Sequence, residues 1–147
     1  MSNVKTIVVV GGVAGGMSFA TRYRRLNEQD RIVVLDKGPY VSFANCGLPY
    51  HVSKEIEDRE DLIVVSKERL QDRFNLVIYE NHEVVEINSD DKSVVAISGG
   101  EEVSFFYDEL VLSPGAKPFV TNIEGLDDVD HVFTLRNIPD VDRIIKH

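Results

Sequence analysis

The sequence predicts an α/β fold, with a parallel sheet and an inserted antiparallel β-meander, on three observations. Lys5 to Val10 is a run rich in β-branched residues that breaks into the glycine-rich turn Gly11 to Gly16 and then into a helix-prone stretch. A second apolar run, Arg31 to Leu35, completes a strand-helix-strand unit whose strands should be parallel with a right-handed crossover. Further along, short β-prone runs with turn residues between them replace the helical pattern.

Composition limits the size of the fold and the class of partner. The chain has 147 residues, of which 43% are hydrophobic, enough for one domain with a single core. Its formal net charge of -9 repels nucleic-acid backbones and anionic lipid surfaces, so neither is an expected partner. The apolar run Ile7 to Val10 is far too short to span a bilayer, and a cytoplasmic location is expected.

One helix is predicted between the first unit and the meander. Turn formers fill Gly38 to Tyr50, and the acidic stretch Glu55 to Asp61 is expected to be a solvated surface loop. A Ser hydroxyl can satisfy a free N–H at a helix start, so Ser66 is a candidate cap for a helix from Lys67 to Phe74.

After this helix the chain turns to short strands separated by Asn-His, Ser-Asp-Asp and Gly-Gly-Glu turns. Four such runs are expected to form the antiparallel meander: Leu76 to Tyr79, Glu83 to Ile87, Ser93 to Ile97 and Val103 to Tyr107. Glu109 to Ser113 then predicts another parallel strand, which stops at the turn Pro114-Gly115. Pro139 can open a last helix from Asp140 to Lys146, and because the chain stops there we expect it to be part of a longer protein.

The turn after the first strand has the features of a dinucleotide site. Its glycines let the backbone approach a pyrophosphate, which then lies against free N–H groups at the positive end of the helix. Gly11 and Gly16 hold the first and third positions of the G-x-G-x-x-G pattern, whereas Val13 departs from it at the second. Asp36 follows at the end of the next strand, where a carboxylate accepts both hydroxyls of an adenosine ribose. These residues predict a dinucleotide without separating FAD from NAD.

Cys46 is the single cysteine, which excludes an internal disulfide and a cysteine-based metal cluster. It lies three residues before Pro49, a residue tolerated in the first turn of a helix, so Cys46 is expected at a helix start. The positive end of a helix favours the thiolate, which is the form that attacks a disulfide or a peroxide. From these residues alone, a reactive thiol and an inert buried one both remain open.

Four segments together resemble the coenzyme A disulfide reductases, the single-cysteine branch of the pyridine nucleotide-disulfide oxidoreductases. The segments are GGVAGGMS at 11–18, YVSFANCGLPY at 40–50, YDELVLSPGA at 107–116 and FTLRN at 133–137. The resemblance covers essentially the whole chain, and SFANC is its most specific part.

The resemblance implies a Rossmann-like FAD-binding domain over residues 1–147, with NAD(P)H-binding and dimerisation domains outside the chain. In such a homodimeric enzyme NAD(P)H passes a hydride to FAD, which then reduces a mixed disulfide between the catalytic thiol, here Cys46, and coenzyme A. The substrate would be coenzyme A disulfide or a related persulfide. Because the chain has no second cysteine, the partner sulfur must come from outside, or Cys46 must cycle through sulfenic acid.

The resemblance also assigns ligand contacts. Those to the cofactor are expected at Gly11, Gly12, Ala14, Gly15, Gly16, Asp36, Lys37, Val84, Ser113 and Gly115. Those to coenzyme A are expected at Ser18, Arg22, Arg25, Ser42 and Asn45. The spacing of 18, 22 and 25 places them on one helix face, and two arginines suit a phosphate-rich ligand, although solvated surface arginines are the alternative.

One position departs from the family, and two further functions stay open. Where some of these reductases carry a basic residue near the end of the helix at 67–74, this chain has Phe74, and Arg73 beside it is a candidate replacement. An NADH oxidase or peroxidase would use Cys46 as a sulfenic acid, and a nucleotide-binding module would do no chemistry. A plain NAD-dependent dehydrogenase is disfavoured by the meander and by SFANC. The histidines show no partner spacing, and neither a base nor a metal site is assigned.

Overall fold

The strand-helix-strand unit at the start of the chain is present in the computed structural model, which describes residues 4–147. The helices and strands are, in chain order, β1 (Thr6–Val10), α1 (Ala14–Leu26), β2 (Arg31–Leu35), α2 (Leu48–Val52), α3 (Lys67–Phe74), β3 (Leu76–Tyr79), β4 (Glu83–Asn88), β5 (Ser93–Ser98), β6 (Glu101–Phe106), β7 (Glu109–Leu112) and α4 (Ile138–Lys146). Within the described residues, one compact unit takes in everything up to Phe43 together with Val65–Pro114, and a second takes in Ala44–Val64 and Gly115–His147. That residues 1–147 form one FAD-binding domain stays a prediction.

The first unit is built on a parallel sheet with the strand order β3-β2-β1-β7. The strand predicted at Glu109 is confirmed as β7, which pairs with β1 in parallel. The expectation for Leu76–Tyr79 is wrong, because this strand is not part of the meander but pairs in parallel with β2, Leu76 opposite Ile32. Its sequence is apolar without interruption, which suits a parallel strand covered on both faces better than a meander strand.

Both faces of this sheet are covered. Alternate residues such as Ile7 and Val9 pack with Met17 of α1 and Leu70 of α3 on one side. Val8, pointing the other way in the strand, packs with Val94 of the antiparallel sheet β4-β5-β6. The first unit therefore has three layers: the helices α1 and α3, the parallel sheet and the meander.

The helix predicted after Ser66 is confirmed, and its far end is tied to α1 by a buried arginine. The Ser66 hydroxyl accepts from the N–H of Arg69, as expected of a cap. Arg24 of α1 is 8% exposed and donates to the carbonyl oxygens of Phe74 at 2.9 Å and Asp30 at 2.7 Å. Further bonds from its guanidinium reach two other carbonyl oxygens, those of Asn27 and Asn75. The carbonyls of Asn27, Phe74 and Asn75 lie at or just beyond helix ends, where they lack partners within the helix, and that of Asp30 directly precedes β2.

No helix in the described part of the chain is both long and apolar enough to cross a bilayer. The cytoplasmic location stays a prediction.

Replacing Arg24 by Met should lower the free energy of unfolding by about 3 kcal/mol, because four carbonyl oxygens lose a charged donor while the apolar stem is kept. Urea denaturation followed by circular dichroism measures this. The matched control is Arg69→Met on the exposed surface of α3, for which we expect a change below about 0.5 kcal/mol. Equal losses in the two variants would mean that the buried bonds of Arg24 contribute nothing particular.

Candidate functional site

The turn between β1 and α1 is so tight that two of its glycines are required by the packing of the backbone itself. Gly11 has a φ of 99°, and a Cβ built on it would lie 2.0 Å from the carbonyl oxygen of Ser113. A Cβ on Gly16 would lie 1.8 Å from the carbonyl oxygen of Gly11. Gly15 is different, since its Cβ would approach only the side chain of Ser113, at 3.1 Å from the hydroxyl oxygen. Gly11 and Gly16 therefore set the turn, whereas Gly15 leaves space at its surface.

The start of α1, the helix that follows, has no negatively charged side chain among the described residues of its cap and first turn. Val13 at the N-cap position makes no side-chain hydrogen bond, and the first turn of α1 contains no acidic residue. Ala14 and Gly15 are exposed. Because the first N–H groups of a helix carry partial positive charge and have no partner within it, this end of α1 suits an external anion such as a pyrophosphate.

Asp36 lies beside the turn, as its spacing predicted. Its Oδ2 accepts from the N–H of Gly12 at 2.6 Å, and its Oδ1 accepts from the N–H of Gly38 at 2.8 Å. A carboxylate oxygen can accept more than one hydrogen bond, so both oxygens keep capacity for the hydroxyls of a ribose. Lys37, the next residue, is exposed.

Of the two remaining cofactor candidates of the first unit, Ser113 bonds to this region itself, and Val84 lies close in sequence to a residue that does. Ser113 follows β7, and its N–H donates to the carbonyl oxygen of Val10 at the end of β1. Val84 lies near the start of β4, two residues after His82, whose N–H donates to the carbonyl oxygen of Asp36 at 2.8 Å. Sequence reasoning missed the contact from His82, because a backbone donor leaves no signal in the residue type.

The residues expected to contact coenzyme A are divided between the two units. Ser18, Arg22 and Arg25 are exposed along α1 of the first unit. Ser42, also in the first unit, is buried, with a φ of 52°, and its N–H donates to the carbonyl oxygen of Gly12 at 2.8 Å. A non-glycine residue in this left-handed region costs about 1–3 kcal/mol and is typical of functional segments. Asn45 lies in the second unit.

Cys46 lies in the second unit, within a short 3₁₀ helix, Asn45–Gly47, that leads directly into α2. The expected helix start is confirmed, with Pro49 in the first turn, although α2 has only five residues. The thiol is free and the residue exposed. Gly47 behind it is buried, and a Cβ there would crowd the side chain of Leu62 at 3.2 Å. Of the two readings that the sequence left open, the structure therefore excludes a buried thiol, and the reactivity of Cys46 stays a prediction.

Arg136 connects the segment of Cys46 to the rest of the second unit. Its carbonyl oxygen accepts from Nδ2 of Asn45 at 3.4 Å, and its Nε donates to the carbonyl oxygen of Ala116 at 2.9 Å. Its N–H donates to Asp140 at the start of α4. Gly115, with a φ of 70°, lies against this guanidinium, since a Cβ there would be 2.9 Å from Nη2. Gly115 thus has a packing role in this unit, and its predicted contact with a cofactor stays a prediction.

An ion pair joins α4 to another segment of the second unit. Nε and Nη2 of Arg59 donate to the two carboxylate oxygens of Asp142 in α4, at 2.7 and 2.8 Å. These hydrogen bonds lower the pKa of Asp142 below its ordinary value of 3.8. The last helix, predicted from Pro139, is confirmed and begins at Ile138 with a capping box between Asn137 and Asp140.

The Arg59–Asp142 pair should make stability depend on pH in the acid range. A carboxylate whose pKa is lowered by folding stabilises the fold above its unfolded pKa, and this contribution is lost as the pH falls through the folded value. Asp142→Asn should therefore lose less stability than the unchanged chain when the pH drops from about 6 to about 3, by about 0.5 to 1 kcal/mol after solvent screening. Urea denaturation at both pH values measures it. Asp61→Asn, an exposed carboxylate with no ion pair within residues 4–147, should behave like the unchanged chain.

The chain matches the profile of the pyridine nucleotide-disulphide oxidoreductases over residues 5–147. It is 40% identical to a coenzyme A disulfide reductase of Staphylococcus aureus, over 94% of this chain and 31% of that protein. Among solved structures it is similar to the reduced CoADR-RHD of Bacillus anthracis, with a TM-score of 0.93 and 49% identity over 97% of this chain and 26% of that one. It is also similar to an NAD-dependent persulfide reductase from A. fulgidus. The TM-score is 0.89 and the sequence identity 31%, over 96% of this chain and 27% of that one.

The chain thus spans about a third of the length of the curated relatives it matches. The family's cofactor, FAD, is compatible with the first unit: the uncapped start of α1 suits its pyrophosphate, and the free capacity of the Asp36 carboxylate suits its ribose. The chain belongs to the pyridine nucleotide-disulphide oxidoreductases, FAD-dependent enzymes that draw their reducing equivalents from NAD(P)H.

Proposed function

We propose that the chain is the FAD-binding part of an NAD(P)H-dependent enzyme that reduces coenzyme A disulfide, or a coenzyme A persulfide, through Cys46. The observation that carries this proposal is the single exposed thiol in a 3₁₀ helix leading into α2, within the SFANC segment. Similar proteins named coenzyme A disulfide reductase and persulfide reductase support this substrate class.

The first unit holds the cofactor in this proposal. The N–H groups at the start of α1, from Ala14 onward, bind the pyrophosphate, and Asp36 accepts hydrogen bonds from the adenosine ribose. Ser113 and Val84 contribute the further contacts from the ends of β7 and β4. FAD, when bound, supplies the two-electron chemistry between the nicotinamide and the thiol.

Cys46 performs the sulfur chemistry. Its thiolate attacks one sulfur of the disulfide, the S–S bond breaks, and one coenzyme A leaves as a thiolate while a mixed disulfide forms on Cys46. Two electrons, originating from NAD(P)H, and a proton then restore the thiol and release the second coenzyme A. No other cysteine exists in the sequence to resolve the mixed disulfide, and Ser42, four residues earlier, cannot do so.

The homodimeric state of the whole enzyme and the absence of nucleic-acid and membrane partners stay predictions of the sequence.

The cofactor site can be tested at the start of α1. Ala14→Asp places a carboxylate where we expect the pyrophosphate, so the affinity for FAD should fall at least about tenfold through charge repulsion. The same change should keep or slightly raise the free energy of unfolding, since an acidic residue stabilises a helix start. FAD fluorescence titration and urea denaturation measure the two quantities. Ala14→Asn is the uncharged control, and an equal loss of affinity in it would contradict the electrostatic role.

Cys46→Ser in the full-length protein should keep the flavin absorbance but lower the reduction of coenzyme A disulfide by about a thousandfold or more, because a serine hydroxyl does not attack disulfides. NAD(P)H consumption with coenzyme A disulfide, coenzyme A persulfide and hydrogen peroxide measures this. Full disulfide turnover in the variant would exclude Cys46 from the mechanism. Turnover of the unchanged enzyme with peroxide alone would favour the sulfenic acid chemistry of a peroxidase instead.

A further inference from the structure

A buried histidine holds the loop that packs against the segment of Cys46. His51, in α2, is only 9% exposed, and its Nδ1 lies 2.7 Å from the carbonyl oxygen of Ile56. A carbonyl oxygen can only accept a hydrogen bond, so Nδ1 carries the hydrogen and donates it. Protonation of Nε2 leaves this bond in place, because Nδ1 carries its hydrogen in both forms of the ring. The imidazole therefore ties α2 to the loop at any pH at which the protein is folded.

The loop depends on such bonds because part of its backbone is in an unfavourable conformation. Lys54 has a φ of 64°, in the left-handed region that a residue with a Cβ rarely adopts. The N–H groups of Glu55 and Ile56 both donate to the carbonyl oxygen of Tyr50, at 2.9 and 3.0 Å. Together with the bond from His51, they fix Ile56 in one position relative to α2.

The side chain of Ile56 packs against the residue that follows the thiol. A Cβ on Gly47 would lie 3.4 Å from Cδ1 of Ile56 and 3.2 Å from Cδ2 of Leu62. Leu62 is buried, and its carbonyl oxygen accepts from the N–H of Ala44 at 2.8 Å. Because Gly47 directly follows Cys46, the loop supports the 3₁₀ helix that carries the thiol.

The imidazole is itself held by its surroundings. The helix α2 packs against α4 and against the 3₁₀ turn Arg59–Leu62. His51 lies close enough to Asp142 that its charge, when the ring is protonated, adds to the larger effect of Arg59 in lowering the pKa of that carboxyl. A ring packed in this way has few alternative rotamers, so its bond to the loop is already in place before any ligand binds.

We propose that His51 is a positioning residue for Cys46: by fixing the loop that packs on Gly47, it keeps the thiol in place at the exposed start of α2. The inference rests on the proposed function, in which this thiol attacks a disulfide. Such an attack requires a defined approach of the two sulfurs, and a displacement of about 1 Å can slow a reaction by about a hundredfold. Because His51 acts on the thiol through the backbone, it affects the rate of attack rather than the binding of the disulfide.

Hydrogen exchange tests the positioning without catalysis. In the full-length, FAD-saturated protein, His51→Leu should raise the exchange of the amides at 45–50 about tenfold, because the carbonyl of Ile56 loses its donor. His51→Asn should keep exchange within about twofold of the unchanged protein, since Nδ2 of asparagine is a donor at nearly the position of Nδ1. His131→Leu removes an exposed histidine of the same unit and should leave these amides unchanged. Unchanged exchange in His51→Leu, or an equal rise in His51→Asn, would overturn the proposal.

Kinetics with coenzyme A disulfide then connects the position of the thiol to its reaction. His51→Leu should lower kcat about tenfold and leave KM within about twofold, whereas His51→Asn should keep kcat within about threefold of the unchanged enzyme. Ile56→Ala removes the same support at its contact with Gly47 and should lower kcat as His51→Leu does. An unchanged kcat in either His51→Leu or Ile56→Ala would overturn the proposal. If the unchanged enzyme does not reduce coenzyme A disulfide but exchange responds as expected, the proposed function fails and the positioning by His51 stands.

Discussion

The close approach of Gly16 to the carbonyl oxygen of Gly11 is the constraint on which the first unit depends. Only a residue without a Cβ lets α1 leave β1 at this distance, so the start of the helix lies directly against the end of the strand. At its other end, α1 is held by Arg24 and its bonds to carbonyl oxygens around the end of α3. A helix held at both ends presents its exposed face, with Arg22 and Arg25, in one position.

Much of this arrangement could be predicted from sequence because it is local. Three features act within a few residues or across one strand-helix-strand unit: the glycine pattern, the carboxylate of Asp36 and the proline of α2. Their spacing in the sequence is therefore enough to predict where they lie. The Ser66 cap and the helix after it are local in the same sense. The exposure of Cys46 was left open by its neighbours and became clear only with the surrounding structure.

The features that escaped prediction depend on distant pairing or on backbone atoms. The apolar sequence of Leu76–Tyr79 suits a parallel strand, but its pairing partner β2 lies about forty residues earlier in the chain and is set by the packing of the whole sheet. The backbone carbonyl of Arg136 accepts a hydrogen bond from the side chain of Asn45, 91 residues earlier in the chain. Because every residue type has this carbonyl, the sequence gives no sign of the contact. In the sequence, Phe74 stands where some relatives have a basic residue. In the structure the guanidiniums of Arg25 and Arg73, which are far apart in sequence, both lie near its ring.

The pairing of β1 with β7 has a consequence for how the protein is made. Ile7 lies opposite Glu109, and the turn at Gly11 is closed by the carbonyl of Ser113, about a hundred residues later in synthesis. Until that strand leaves the ribosome, the nascent chain exposes one edge of β1, a row of unpaired N–H and C=O groups flanked by valines. Such late pairing slows folding, and the interval in which this edge stays unpaired is set by the roughly one hundred residues between β1 and β7.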